Sequence, residues 1–135
     1  MFEQAIEISV MLAVSDAAAA ADWYERALGA RRIWDLGSVV GLRVGGAAFF
    51  VGEPQNNGWN TPQALGMPSV RIEVFCDDPD MFISQAVSNG ANARDDAVQD
   101  HDMPWGTHRQ GSFVDPFGHK WLVGDRSPLF ESNSK

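Results

Sequence analysis

Two segments of this chain carry the same pattern, DAAAAADWYERALG at residues 16–29 and DDPDMFISQAVSNG at residues 77–90. Each segment follows an alternating apolar stretch, begins with an Asp that suits a helix N-cap, and ends with a Gly that suits the left-handed position after a helix. The equal spacing in the two halves indicates a duplicated structural unit. We expect the two units to build one shared cavity, whose lining residues should carry the function.

The first half, residues 5–52, predicts a strand, a helix and three further strands. In the leading strand an apolar face alternates with a second face that carries Ser9 and Met11. The run that follows is rich in strong helix formers. The predicted bounds are 6–15 for the leading strand, 17–28 for the helix, and 31–36, 39–44 and 47–51 for the later strands.

The second half, residues 68–125, repeats this order. Its leading strand carries Arg71, Glu73 and Phe75 on the face that corresponds to Ser9 and Met11 in the first half. The predicted bounds are 69–76 for the leading strand, 79–89 for the helix, and about 92–99, 106–115 and 119–124 for the later strands.

These elements predict an α+β fold with two tandem βαβββ modules that form a curled mixed sheet around a cavity. Each helix covers one face of its sheet, so the opposite faces remain free to line a deep trough. We expect a single domain over residues 1–126, a turn-rich loop at 53–67 between the modules, and a flexible tail at 127–135.

Composition indicates a soluble globular protein, since 44% of the residues are hydrophobic and 21% are charged. The net charge of −8 opposes binding to nucleic acid and to anionic membrane surfaces. No segment approaches the roughly 18 apolar residues that span a bilayer, and no basic leader follows Met1. Cys76 is the only cysteine, which excludes an intramolecular disulfide. We expect a cytoplasmic protein without a nucleic acid or membrane partner.

Four separated segments resemble the vicinal oxygen chelate superfamily, which groups glyoxalase I, extradiol dioxygenases, fosfomycin-modifying enzymes and antibiotic-binding resistance proteins. The segments are LAVSD at 12–16, ADWYERALG at 21–29, PWGTHR at 104–109 and DPFGHKW at 115–121. The third of them is similar to a PhnB-like subgroup. The resemblance covers about residues 5–125 and implies the glyoxalase/bleomycin resistance fold and a homodimer whose pockets are partly built or closed by the partner.

In the metalloenzymes of this superfamily, His and Glu side chains on the concave faces of the sheets hold a metal. The resemblance places these ligand positions at Ser9, Phe50, Arg71 and Leu122 in this sequence. Ser, Phe and Leu do not supply the nitrogen and carboxylate donors of such a site, and Arg repels a cation. We therefore predict that the metal site of the family is absent and that the protein has no cofactor.

The three histidines leave two interpretations open. His101 and His108 lie near Asp100 and Asp102 and could form a displaced metal site or a general acid and base pair. Alternatively, His101 belongs to a polar loop and His119 merely follows a tight turn. His108 is the strongest candidate of the three, because it lies in the PWGTHR segment that approaches the pocket in the similar subgroup.

Arg71 and Glu73 share one predicted face and should point into the trough. Arg71 could anchor an anionic group of a ligand while Glu73 positions or neutralises the guanidinium. The alternative is an internal ion pair that fills the space of the former metal ligands and adds little net stability.

The chain is rich in aromatic residues, with five Trp and eight Phe. Trp34, Trp59 and Trp105 fall at predicted loops and strand ends, where their rings could stack on a planar ligand. Trp23 and Trp121 are expected to pack between helix and sheet. Three aromatic residues near the rim of the cavity favour an aromatic or polycyclic ligand.

The sequence thus predicts a metal-free protein that sequesters an aromatic or apolar small molecule, similar to the drug-binding self-resistance proteins of the superfamily. The predicted ligand-binding residues are Ser9, Met11, Trp34, Phe50, Trp59, Arg71, Glu73, Phe75, Trp105, His108 and Leu122. One alternative is an enzyme, either a glyoxalase-like lyase or isomerase or a dioxygenase with displaced metal ligands. A second alternative is a domain whose cavity is filled by its own side chains.

Overall fold

The protein is described by a computed structural model that covers residues 4–93 and 98–130. These residues form two four-stranded mixed sheets, with strand orders β1-β4-β3-β2 and β5-β8-β7-β6. The elements are β1 Met11–Ala13, α1 Ala17–Leu28, β2 Arg31–Asp35, β3 Val39–Val44, β4 Ala47–Gly52, α2 Pro62–Leu65, β5 Arg71–Phe75, α3 Pro79–Ser88, β6 Gln99–Met103, β7 Gly106–Val114 and β8 Lys120–Gly124.

The two halves share one topology, in which the leading strand pairs in parallel with the last strand of its own half. The other neighbouring strands pair antiparallel. This is the predicted α+β arrangement of two tandem βαβββ modules, so the fold prediction is confirmed. None of the helices in the described ranges is long and apolar enough to cross a membrane.

The predicted cap residues delimit both long helices. The Asp16 side chain accepts a hydrogen bond from the Ala19 N–H at 3.1 Å, and Asp78 accepts one from the Met81 N–H at 3.1 Å. At the other end of α1, Gly29 has φ 71°, the left-handed conformation that favours glycine. The capped helix α1 buries one stripe, which consists of Ala17, Ala20, Ala21, Trp23, Tyr24, Ala27 and Leu28.

The core joins the two modules through residues that face the helices. Tyr24 of α1 packs against Trp121 of β8, with ring centroids 5.6 Å apart, and Phe49 of β4 packs edge-on against the same Trp121 at 5.7 Å. Trp23 and Trp121 are both buried in this core, as the sequence predicted. Because the helices and the aromatic core lie on one side of each sheet, the opposite sides remain available. We call these sides the outer faces.

The structure corrects the predicted strand at 92–99. Asn92 forms only an isolated bridge with Val114, and the strand β6 begins at Gln99. Residues 94–97 of the predicted strand lie outside the described ranges. Strands β6 and β7 form a hairpin with its turn at 104–105, in which Met103 pairs with Gly106. This hairpin sets the register of β6. All five residues of β6 are exposed, so its sequence lacks the apolar alternation that reveals a half-buried strand.

Two short elements were not predicted. The loop at 53–67 contains α2, which begins after Thr61, a residue whose side chain accepts a hydrogen bond from the Ala64 N–H at 3.2 Å. In the predicted tail, Ser127–Leu129 form one turn of 3-10 helix, while residues 131–135 lie outside the described ranges. The Thr-Pro pair at the start of α2 is a local N-terminal signal that marks this helix.

Candidate functional site

A cleft of about 730 Å³ lies between the start of the first module and the edge strand β5 of the second. This volume is in the range of small-molecule binding sites. Four of the predicted ligand-binding residues line it, namely Ser9, Arg71, Glu73 and Phe75. Much of the remaining lining is apolar and includes Ile8, Val10, Phe49, Ile72 and Leu129.

Arg71 and Glu73 form an ion pair on the outer face of the second sheet. The Arg71 Nη2 lies 2.7 Å from the Glu73 Oε2, and the two side chains are 60% and 35% exposed. The guanidinium is therefore already paired with a carboxylate and is open to solvent. Such exposed pairs contribute little to stability.

An aromatic floor covers the outer face of the first sheet, and we define it by Met11, Trp34, Phe50 and Trp59. Trp34 stacks on Phe50, with ring centroids 5.6 Å apart and an interplanar angle of 25°. Met11 lies beside Phe50 in the paired strands β1 and β4. Trp34 is 40% exposed, so its ring remains accessible to a ligand. All four residues of the floor are among the predicted ligand-binding residues.

Two glycines make room for this floor. A β-carbon at Gly41 would lie 2.7 Å from the Trp34 Cε2, and a β-carbon at Gly52 would lie 2.9 Å from the Met11 Sδ and 3.6 Å from the Trp59 ring. The indole of Trp34 therefore lies close to the backbone of β3 at Gly41. Glycine inside a strand marks such a close approach, which is the sequence signal that could have identified Gly41.

A β-bulge aims the Trp34 side chain at this surface. Arg32 pairs with Leu42 and Trp34 pairs with Gly41, so the intervening Ile33 is the extra residue in β2. The Ile33 side chain also approaches Gly41, since a β-carbon there would lie 2.9 Å from the Ile33 Cγ1. The bulge thus places two consecutive side chains on the outer face.

His108 lies on the second sheet and is 5% exposed. Its Nδ1 lies 2.7 Å from the Asp125 Oδ1 and 3.3 Å from the Ser127 Oγ. Trp105 contributes to the same group, because its Nε1 donates a hydrogen bond to the Ser127 Oγ at 2.8 Å. Both partners of His108 approach one ring nitrogen, so the arrangement differs from a catalytic triad, in which serine and carboxylate contact opposite nitrogens. Sequence reasoning did not identify Asp125 or Ser127.

Acid is expected to remove the contribution of Asp125 to stability. Burial alone would raise the pKa of its carboxyl, but hydrogen bonds from the Arg109 N–H, His108 and Ser127 outweigh burial and hold the pKa well below its ordinary value. A carboxyl with a lower pKa in the folded chain stabilises the fold above its unfolded pKa of about 4, and this stabilisation is lost as the pH falls below that value. In urea unfolding, Asp125→Asn should therefore be less stable than the wild type at pH 6, with a gap that shrinks towards pH 2. A gap that stays constant would contradict this assignment.

The other two histidines have different surroundings. His101 of β6 is exposed and lies opposite His108 in the paired strands. His119 is 4% exposed, and its Nε2 lies 2.8 Å from the Ala13 carbonyl oxygen. This contact joins the second module to β1. The Nδ1 of His119 has no hydrogen-bond partner among the described residues. His119 therefore has a structural position in the core, which the turn interpretation did not anticipate.

The four positions implied for a family metal site do not fit a divalent cation. Ser9 donates its hydroxyl to the Ala48 carbonyl, Phe50 stacks with Trp34, Arg71 pairs with Glu73, and Leu122 is 9% exposed. None of these side chains supplies an imidazole or a free carboxylate. Among residues 4–93 and 98–130, no group of three or more His, Cys, Asp or Glu side chains is arranged to hold a metal ion.

The structure distributes the predicted site residues over three places. Ser9, Arg71, Glu73 and Phe75 line the cleft, while Met11, Trp34, Phe50 and Trp59 form the aromatic floor. Trp105, His108 and Leu122 lie on the second sheet and its hairpin. The cleft borders the floor, because Ser9 and Ala48 line the cleft and precede Met11 and Phe50 by two residues in the chain.

Comparisons with known proteins agree with this architecture. Residues 8–123 match the model of the Glyoxalase/Bleomycin resistance protein/Dioxygenase superfamily. An uncharacterized protein of Mycobacterium bovis is 34% identical over 139 aligned positions, which cover 93% of this chain and 86% of that protein.

Two solved structures show the same fold at low sequence identity. The bleomycin resistance determinant encoded on the transposon Tn5 has a TM-score of 0.66 and 20% identity, over 90% of this chain and 98% of that chain. The fosfomycin resistance protein FosX from Mesorhizobium loti has a TM-score of 0.60 and 13% identity, over 96% of this chain and 100% of that chain. At these identities the likeness concerns the fold alone.

Proposed function

Because the chain belongs to the Glyoxalase/Bleomycin resistance protein/Dioxygenase superfamily, we propose that it is a metal-free binding protein that sequesters a planar aromatic small molecule. The family includes bleomycin resistance and fosfomycin resistance proteins. The observation that carries the proposal is the aromatic floor, in which Trp34 and Phe50 present stacked rings on an open sheet face. A role in self-resistance to an aromatic antibiotic follows from this capacity.

The proposed mechanism is burial of the ligand on the floor. A planar ring that covers about 100 Å² of apolar surface gains about 2.5 kcal/mol from its removal from water. Stacking on an indole adds about 0.5–1.5 kcal/mol beyond the area term. The cleft beside Ser9 and Ala48 accommodates the remainder of a larger ligand. Affinity, rather than turnover, would protect the host cell.

We further propose a cytoplasmic homodimer within a PhnB-like subgroup of the family. The outer face of the first sheet is open in the single chain, with Met11 and Trp34 each 40% exposed. A second copy that covers this face would close the site over a bound ligand and exclude water from it. Analytical ultracentrifugation with and without ligand tests this arrangement, and a strictly monomeric protein in both states would contradict it.

Replacing Trp34 by Ala is expected to weaken binding of a planar aromatic ligand about 30-fold, because an exposed indole in the centre of a binding surface contributes about 2 kcal/mol. The measurement is a thermal-shift screen of aromatic natural products, followed by calorimetric titration of the strongest hit. Leu36→Ala is the matched control, since Leu36 is 73% exposed beyond the end of the same strand. Equal affinities of both variants and the wild type would contradict the floor as the binding surface.

Trp105→Ala extends the test to the second sheet. The sequence predicted that this residue lies at the rim, so its loss should weaken uptake with little loss of fold stability. Unchanged binding would remove Trp105 from the site, while the floor on the first sheet would remain.

An enzyme is the second candidate, and the contact between His108 and Asp125 favours it. If the Nδ1 carries the proton that Asp125 accepts, the lone pair of the imidazole is on the Nε2 of His108, which can then act as a general base. Elemental analysis of the purified protein and turnover assays with His108→Gln distinguish the two candidates. Stoichiometric zinc, iron, nickel or manganese bound by the protein would contradict the proposed metal-free binding function.

A further inference from the structure

We propose that the open face of the first sheet selects planar aromatic anions, and that Arg31 and Arg43 bind the anionic group. This inference rests on the proposed function, since it names the chemical class of the ligand for the same aromatic floor. Neither arginine is used by the burial mechanism described above.

Arg31 and Arg43 lie on the outer face with the floor. They are directly opposite each other in the paired strands β2 and β3. The next pair along these strands is Arg32 with Leu42, and it faces α1, because Leu42 is fully buried and Arg32 binds Asp22 and Glu25 of the helix. Successive residues alternate between the two faces, so Arg31 and Arg43 point away from the helix.

The two arginines form an unbalanced positive site. Like charges directly opposite in a sheet destabilise the pairing. Within residues 4–93 and 98–130, no carboxylate oxygen lies within 4.0 Å of either guanidinium, whereas Arg32 has three acidic partners and Arg109 has two. Arg43 donates one hydrogen bond, from its Nη1 to the Gly46 carbonyl at 3.1 Å. An arginine pair that has no carboxylate partner in the described part of the chain, in a protein of net charge −8, indicates a place for an external anion.

The pair lies within reach of a ligand on the floor. Arg43 is two residues from Gly41 along β3, a distance of about 7 Å in an extended strand. Gly41 lies beneath Trp34, and the neighbour of Arg43 on β4 is Ala48, which has a small side chain. Ala48 also lines the cleft, so the positive site lies where the floor and the cleft meet.

This geometry indicates the ligand chemistry. A ring stacked on Trp34 would direct a substituent about one ring width away towards the two guanidinium groups. Guanidinium forms planar, paired hydrogen bonds with carboxylate, sulfonate and phosphate groups. A planar aromatic acid can therefore stack on the floor and form charged hydrogen bonds with the arginines. A neutral or cationic aromatic ligand can stack on the floor but lacks the anionic group.

The test compares 2-naphthoate with the uncharged 2-naphthamide, which have nearly the same shape, by isothermal titration calorimetry at low ionic strength. We expect the wild type to bind naphthoate about 10-fold more tightly, because hydrogen bonds to a charged group contribute more than neutral ones and exposure reduces the gain. The double substitution Arg31→Gln and Arg43→Gln should abolish this preference, because it weakens naphthoate binding far more than naphthamide binding. Added salt should weaken naphthoate binding selectively.

The control variant is Arg26→Gln, which removes an exposed arginine from α1 and should keep the preference for naphthoate. Equal binding of naphthoate and naphthamide to the wild type would overturn the inference and leave the proposed function intact. If neither compound responds to Trp34→Ala, the proposed function fails instead. If the arginine substitutions change the dimerisation constant and not the preference, the pair serves the contact between copies, and the inference is also overturned.

Discussion

Replacing Asp115 by Ala is expected to lower the free energy of unfolding by about 3–5 kcal/mol, the largest stability effect we predict for a single residue. The carboxylate is 3% exposed and accepts four hydrogen bonds. The donors are the Tyr24 hydroxyl, the Trp121 Nε1 at 2.9 Å, and the N–H groups of Phe117 and His119 at 2.9 and 3.0 Å. Without the carboxylate, these buried donors lose their acceptor, and the contact between α1 and β8 weakens.

Urea unfolding measures this change, and Asp102→Ala is the control, because Asp102 is exposed on the edge strand β6.

Tyr24→Phe should account for about 1.5–3 kcal/mol of the effect, since it removes one hydrogen bond to a charged group. Burial, followed by the negative charge of Asp115, raises the pKa of the Tyr24 hydroxyl well above its ordinary value. The phenol therefore stays protonated and remains a donor at neutral pH. A loss of stability below about 1 kcal/mol in Asp115→Ala would contradict the role of this carboxylate.

Replacing Gly41 by Ala is expected to abolish the aromatic floor without removing any aromatic residue. The new β-carbon would lie 2.7 Å from the Trp34 Cε2 and 2.9 Å from the Ile33 Cγ1, so both side chains must move. We expect a loss of about 1–3 kcal/mol in stability from this overpacking. Affinity for a planar ligand should fall about as far as in Trp34→Ala, because the displaced indole no longer stacks on Phe50.

The matched control is Gly46→Ala in the turn between β3 and β4. Apart from Gly46 and its two chain neighbours, no described residue has an atom within 4 Å of the position that the β-carbon would occupy, and Gly46 does not have a positive φ. This variant should retain stability and affinity. Calorimetric titration with 2-naphthamide and the intrinsic tryptophan fluorescence of both variants measure the difference. If Gly41→Ala binds as the wild type does, the position of Trp34 against Gly41 is not needed for binding.

In the proposed function, stability and ligand binding depend on opposite sides of the sheets. The helix-facing side contains the buried aromatic core around Tyr24 and Trp121, which holds the modules together. The outer side contains Trp34 and Phe50, which remain accessible. Substitutions on the two sides should therefore separate stability from binding, and this separation distinguishes a binding protein from a domain that fills its own cavity.

The secondary structure could be predicted where the signals were local. The bounds of α1 follow from Asp16 and Gly29, which interact with groups only a few residues away. The strands β3, β4 and β8 follow from apolar residues that alternate or lie between glycine turns. The edge strand β6 could not be predicted in the same way, since all its residues contact solvent and its position depends on the hairpin with β7.

The sequence by itself determined the duplicated α+β architecture and the caps of the helices, because these features depend on repeated local patterns and on contacts between near neighbours. Only the tertiary structure decided which side chains share a surface. Strict alternation along β2 would place Trp34 with Arg32 on the helix side, but the bulge at Ile33 moves it to the outer face with Arg31. That change depends on the pairing register with β3, which no local pattern in the chain specifies, although Gly41 inside β3 is a local sign that a side chain approaches the backbone there.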